Sequence, residues 1–211
     1  MSTETLSLRD RKKAQTRENI SHQATVLFLE HGYDKVTIAD VAAAAQVAKM
    51  TVTNYFPRKE DLALDLHDVF VDQLARIVRE REPGQSALAA LRAAYLTAAA
   101  EQDPVAGFSG PEFAKLISDS PALVARLREF HDEREQSLAD TLAAETGSAA
   151  TDITPRVAAA QLGGVHRVLF DETMRRTLDG QSNDEIATAI IEYIGTAFDA
   201  LAPSLNDYAV R

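Results

Sequence analysis

The sequence predicts an all-α protein of about nine helices, with an N-terminal three-helix head carrying a helix-turn-helix and a C-terminal helical bundle as its body. Three observations carry this. Apolar residues recur at three- and four-residue spacing through most of the chain, and no stretch alternates as a strand would. The segment boundaries fall at helix punctuation: hydroxyl residues followed three positions on by a carboxylate, Ser-Pro and Thr-Pro starts, and Gly stops.

The chain before Ser7 is Ser- and Thr-rich and is expected to lack order. Ser7 and Asp10 then form a capping pattern for a first helix. Its early turns crowd Arg9, Arg11, Lys12, Lys13 and Arg17, and Ile20, Ala24, Leu27 and Phe28 lead to Gly32, which suits a left-handed helix end. Thr37 to Leu62 reads as two short helices and a tight connection. Thr37 and Asp40 cap the first, with Ile38, Val41, Ala42 and Ala45 along one side. The apolar phase then slips: Val47 is expected to be buried, and Val52, Tyr55 and Phe56 form a new stripe. Lys49, Met50, Thr51, Thr53 and Asn54 are left facing outward until Pro57 ends the helix. A short helix presenting Lys, Thr and Asn suits the B-DNA major groove, about 12 Å wide.

From Lys59 the pattern runs through Leu62, Leu66, Val69, Phe70, Leu74 and Ile77 to Pro83-Gly84, which predicts one helix joining head to body. An Ala-rich helix follows from Ser86 to Gln102 with Leu88, Leu91, Tyr95 and Ala98 on one face. Pro104 to Gly110 reads as a loop, and a short helix opens at Pro111 with Phe113, Leu116 and Ile117 inward. Ser120-Pro121 starts a long helix toward Gly147, its apolar stripe interrupted by Arg134. Thr154-Pro155 starts another, through Val157, Gln161, Val165, Val168 and Leu169 to a stop at Gly180. Ser182 and Glu185 cap the last, with Ile186, Ile190, Ile194, Ala197, Phe198 and Leu201.

Composition narrows the function classes. The 211 residues, 45% hydrophobic, can bury a sizeable core. No apolar run approaches the roughly 18 residues of a membrane span and the N-terminus is polar, so a cytoplasmic protein with no membrane partner is expected. There is no cysteine, and the five histidines lie on different expected helices, so no disulfide, metal site or cofactor is expected. Catalysis is disfavoured because no nucleophile, base and carboxylate converge and no Gly-rich phosphate loop is present. The net charge of -10 argues against a nucleic-acid partner until its distribution is considered. Residues 1 to 60 hold nine basic and seven acidic residues, a balance of +2, which leaves -12 for the remainder.

The Thr37 to Leu62 segment resembles the DNA-binding core of the tetracycline-repressor (TetR) family of one-component regulators. Thr37, Ile38, Val41, Ala42, Val47, Thr51, Tyr55, Phe56, Pro57, Lys59, Glu60 and Leu62 fill that family's pattern, and Leu27, Phe28, Gly32 and Tyr33 resemble its first-helix ending. The chain departs from the pattern at Gln46, Ala48 and Arg58, where the family usually has a turn Gly, a capping Ser and a small residue. An aromatic is usual where Thr53 stands. The resemblance covers about the first 65 residues and implies a homodimeric regulator, a repressor in the family's usual mode, that binds a palindromic double-stranded DNA operator with residues 1–60 and a small-molecule effector with residues 61–211.

Site expectations follow. For DNA they are Arg11, Lys12, Lys13, Thr37, Lys49, Met50, Thr51, Thr53, Asn54, Tyr55 and Lys59. For a largely apolar effector pocket they are Tyr95, Phe108, Phe113, Phe130 and Phe170, with Arg134, His166 and Arg167 as polar groups. The family plan, in which the last two long helices pair across a two-fold axis, implies a dimer interface where Gly163 and Gly164 permit close approach, with Ile186, Ile190, Ile194 and Phe198 serving either the interface or the core. Some resemblance of residues 8 to 62, and of the helix after Ser120, to regulators that answer to acyl-coenzyme A thioesters implies that ligand class. A helical protein-interaction module without DNA binding is the alternative reading, with an enzyme further behind.

Overall fold

The computed structural model describes residues 7–211; the expectation for the chain before Ser7 lies outside them. Among the described residues are ten α-helices: α1 Leu8–His31, α2 Ile38–Ala44, α3 Lys49–Tyr55, α4 Glu60–Ala63, α5 His67–Glu80, α6 Ala87–Ala100, α7 Pro111–Asp119, α8 Pro121–Thr146, α9 Thr154–Leu178 and α10 Asn183–Leu205. Two 3-10 turns and an isolated bridge between Ser86 and Val210 complete the regular structure there. Contacts divide the chain into a head, the residues through Asp65 with Leu116–Arg126, and a body, Leu66–Lys115 with Leu127–Arg211.

Local chemistry sets most boundaries where the sequence places them. The Ser7 hydroxyl accepts the Asp10 N–H, and Thr37 with Asp40 and Ser182 with Glu185 form complete capping boxes on α2 and α10. Gly32 closes α1 at φ +86°, a conformation that costs a residue with a β-carbon. In the head, Ile20, Ala24 and Phe28 of α1 are buried together with Val41, Ala42, Val52, Phe56 and Leu62. Each such large side chain contributes about 1.5–3 kcal/mol by leaving water. Val47, expected to be buried, is half-buried at the turn.

The single helix expected from Lys59 to Pro83 is instead two. Leu64 leaves helical geometry at φ -105° and ψ 56°, and α5 begins only at His67. Two α1 side chains hold the intervening residue: Ser21 donates to the Asp65 carboxylate, and Arg17 donates to the Asp65 carbonyl at 3.1 Å. A carbonyl fixed by a guanidinium is withdrawn from the helical ladder, so the apolar periodicity continues past a break in the backbone.

In the body, Leu74, Val78, Leu91, Tyr95, Leu138, Leu142, Leu162, Ile186, Ile190, Ile194 and Phe198 share one core. The buried Arg81 ties the chain end to it, donating to the carbonyls of Val78, Gln85 and Ala209 and pairing with Glu145 at 2.8 Å. By length and composition alone α10 meets a criterion for crossing a membrane, with 23 residues and mean hydropathy 1.2 over an 18-residue stretch, although Glu192 and Asp199 interrupt it. The core helix of a soluble protein meets the same criterion, and α10 buries one face against α6 and α9.

Candidate nucleic-acid interface and ligand site

In the head, α3 is anchored by its back. Val52 and Phe56 are fully buried, and Arg17 grips the helix end, its Nη1 donating to the Tyr55 carbonyl at 3.1 Å and its guanidinium lying 4.3 Å from the Phe56 ring centroid. Asn19 donates to the Ala45 carbonyl at 3.1 Å and so satisfies the end of α2. Within the turn Gln46 adopts φ +56°, a left-handed conformation that costs a residue with a β-carbon about 1 kcal/mol. Ala48, at the start of α3, offers no side-chain cap.

The front of α3 is open. Lys49, Met50 and Asn54 are exposed, and Thr51, Thr53 and Tyr55 are half-exposed. Among the described residues, the side chains of Lys49 and Asn54 have no hydrogen-bond partner in the chain. Thr53 donates its hydroxyl to the Met50 carbonyl at 3.1 Å, which fixes its rotamer and leaves a lone pair and a methyl outward. Arg11, Lys12 and Lys13 stand exposed on the first turns of α1. Two other expected DNA residues are engaged inside the head. Thr37 commits its hydroxyl to the Asp40 cap, whose hydrogen bonds hold the Asp40 carboxyl below its usual range. Lys59 donates to the Tyr33 carbonyl at 2.6 Å with its ammonium 4.0 Å from the Tyr33 ring centroid, and burial lowers its pKa. Its place in the family pattern gives no sign of that inward turn.

In the body, the structure gathers part of the expected ligand set. Phe70 of α5 lies 5.5 Å from His166, 5.8 Å from Phe170 and 6.2 Å from Phe130, ring centroid to centroid, and 4.5 Å from the Arg134 guanidinium. Tyr95 stacks at 5.7 Å from His166. Arg134 donates to Gln73 and to His166. Phe108, Phe113 and Arg167 are not drawn into these contacts: Phe108 sits in the general core, Phe113 is half-buried, and Arg167 pairs with Asp132 at 3.0 Å toward solvent. The cavity against Tyr95 and His166 has a free volume of about 10 Å³, room for about one water.

Phe70, Gln73 and His131 are members the sequence reading missed. Gln73 could have been found, because a buried Arg134 demands a polar partner and Gln73 interrupts the apolar face of α5. Burial, then the Arg134 charge, hold His131 down at about 4 and His166 well below its ordinary value; burial alone draws Arg134 down to about 10, still cationic at neutral pH.

Of the residues expected at the dimer interface or in the core, Ile186, Ile190, Ile194 and Phe198 are at most 3% exposed within their own chain and belong to its core. A Cβ on Gly163 would meet Glu135 of α8 at 3.3 Å, whereas one on Gly164 meets nothing within 4 Å. Only Gly164 looks outward, in a stripe with the exposed Val157 and Val168; on α10 the exposed large apolar residues are Ile191 and Tyr193.

A buried-backed, polar-fronted helix after a capped helix and a left-handed turn defines a helix-turn-helix DNA-binding regulator. Residues 20–66 match the model of bacterial regulatory proteins of the tetR family, and residues 85–206 match the MftR C-terminal domain. The chain belongs to the TetR family of transcriptional regulators, and within it the body is of the MftR type. It is 28% identical over 204 residues to the HTH-type transcriptional regulator TcmR of Streptomyces glaucescens, covering 94% of this chain and 88% of TcmR. Solved structures share the fold. NalD, the secondary repressor of the MexAB-OprM multidrug efflux pump in Pseudomonas aeruginosa, has TM-score 0.52 at 18% identity over 89% of this chain and 97% of NalD. SmeT in its triclosan complex has TM-score 0.53 at 19% identity over 92% of this chain and 94% of SmeT. Relatives and domains alike are regulators, a non-enzymatic family.

Proposed function

We propose that the protein is a cytoplasmic homodimeric repressor that binds a palindromic operator and leaves it when the body takes up a small, largely apolar effector. The observation that carries the DNA half is the front of α3: Lys49, Thr51 and Asn54 stand free on a helix whose back is fixed by Val52, Phe56 and Arg17. Asn54 suits bidentate pairing to adenine, Thr51 and Thr53 suit a thymine methyl or a phosphate, and Met50 and Tyr55 flank them. Arg11, Lys12, Lys13 and Lys49 are the phosphate partners; Lys59 joins them only by leaving Tyr33.

The dimer face is the outward stripe of α9 and α10, with Val157, Gly164, Val168, Ile191 and Tyr193. A dimer places two recognition helices on major-groove faces about 34 Å or a multiple apart. Selection of bound sequences from a random duplex library tests this. Two inverted half-sites, with affinity falling steeply as salt rises, are expected; asymmetric single half-sites or a salt-insensitive complex contradict it. For the effector, amphipathic metabolites including acyl-coenzyme A thioesters are to be screened for operator release, following the family resemblance of the head and of the helix after Ser120.

A further inference from the structure

The buried polar cluster of the body is rich in donors and short of acceptors. Arg134 is 1% exposed, with Nη2 donating to the Gln73 side-chain carbonyl and Nη1 facing Nε2 of His166. A guanidinium has no lone pair to offer, so Nε2 of His166 is the acceptor and the ring proton sits on Nδ1. That Nδ1–H has no partner, and neither do the Nε–H of Arg134 and the hydroxyl of Tyr95, all of them buried. Among the described residues no carboxylate lies within ion-pair distance of Arg134. Asp103 acts on it only from afar, its own carboxylate accepting the Val105 N–H at 2.8 Å.

Arg81 shows what the same body does with a guanidinium that serves structure: it is buried too, but Glu145 neutralises it at 2.8 Å and backbone carbonyls take its other N–H groups. An uncompensated buried cation is among the costliest features a core can hold. Three orphan donors around one charge define the complement: an anion with several acceptor lone pairs.

We propose that Arg134, His166 and Tyr95 anchor the carboxylate of a small apolar monocarboxylic acid. This rests on the reading of the body as an effector site and names its ligand class. One carboxylate matches one guanidinium, whereas a phosphate dianion would bury a surplus negative charge. The apolar remainder follows from the walls, since Leu74, Ile77, Ala94, Ala98 and Ala106 surround the cavity against Tyr95 and His166. With about 10 Å³ free, an acid enters by parting α5 from α6, where Ala94 and Ala98 flank Tyr95 on the α6 side. A thioester of the same chain replaces that carboxylate with a neutral carbonyl.

Calorimetry on the full-length protein tests this, with medium-chain alkanoates and phenylalkanoates set against the primary amides of the same skeletons. The best acid is expected to bind about tenfold or more tighter than its amide. Arg134→Gln should bring that ratio near one, because the acid loses a charge-assisted pair where the amide loses only a neutral acceptor's hydrogen bond. Tyr95→Phe, which removes one hydroxyl, should weaken the acid several-fold and more than it weakens the amide, and serves if Arg134→Gln fails to fold. Equal binding of acid and amide, no binding by any acid, or an acid preference that survives both substitutions overturns the proposal. Neutral amphiphiles that release operator where acids do not would overturn the anchor and leave the effector reading intact. Acids that bind through Arg134 without affecting DNA would support the anchor and overturn the effector reading.

Discussion

Arg17 sits among basic residues that the sequence groups toward DNA, yet the structure turns it inward, and Arg17→Met separates the two roles. The substitution keeps much of the aliphatic stem and removes the guanidinium. It deletes hydrogen bonds to the Tyr55 and Asp65 carbonyls, both at 3.1 Å, and the contact with Phe56 at 4.3 Å. A hydrogen bond from a charged donor contributes about 1.5–3 kcal/mol and a cation–π contact about 0.5–1 kcal/mol. The sum is about 3.5–7 kcal/mol, but Arg17 is half-buried and water replaces part of what is lost, so the net cost should be about 2–3 kcal/mol, below that sum. Urea denaturation followed with hydrogen exchange on α3 reads it: earlier unfolding, faster exchange in Lys49–Tyr55, and weaker DNA binding with an unchanged salt slope are expected. Unchanged stability together with a salt slope shallower by about one ion would refute the clamp and make Arg17 a phosphate contact.

Restoring the missing cap with Ala48→Ser should stabilise the head by about 1 kcal/mol, and Thr37→Ala should destabilise it by a similar amount through loss of the α2 box; denaturant midpoints check both. The buried histidines set a pH dependence with a definite sign. His131 is depressed to about 4, so the unfolded chain takes up a proton that the folded chain refuses; the stability is complete above about 6.5 and is lost as pH falls toward 4. His131→Gln should therefore lose about 1 kcal/mol less than the parent between pH 7.5 and 5.5. Equal losses in the two proteins would contradict the buried neutral ring. His67 runs the other way: burial opposes its charge, but Asp68 and Glu133 outweigh burial and raise its pKa. Its contribution is full below 6.5 and fades as pH rises through the raised value, so His67→Gln should remove that component from urea midpoints measured across neutral pH.

Helix ends were legible because their causes are local. Thr37 with Asp40, Ser182 with Glu185, and Gly32 each settle a boundary through atoms a few residues apart. The break at Leu64–Leu66 was not, since Arg17 and Ser21 impose it from more than 40 residues away, across an apolar pattern that runs on undisturbed. The inward turn of Lys59 is hidden for the same reason, as it depends on Tyr33. In α10 the periodicity saturates: Ile190 is buried and the adjacent Ile191 is 40% exposed, so hydropathy alone could not assign the face. Arg134 did announce itself by interrupting a stripe, but the want of a carboxylate beside it appears only once the helices are packed.

The central claim is that the exposed front of α3 reads DNA bases, and the direct measurement is a paired selection from one random duplex library with the parent protein and Asn54→Ala. The account predicts an inverted repeat for the parent and, for the variant, relaxed preference at one position in each half-site, with about 1–3 kcal/mol of discrimination lost there. The same motif recovered at the same affinity from both proteins would contradict it.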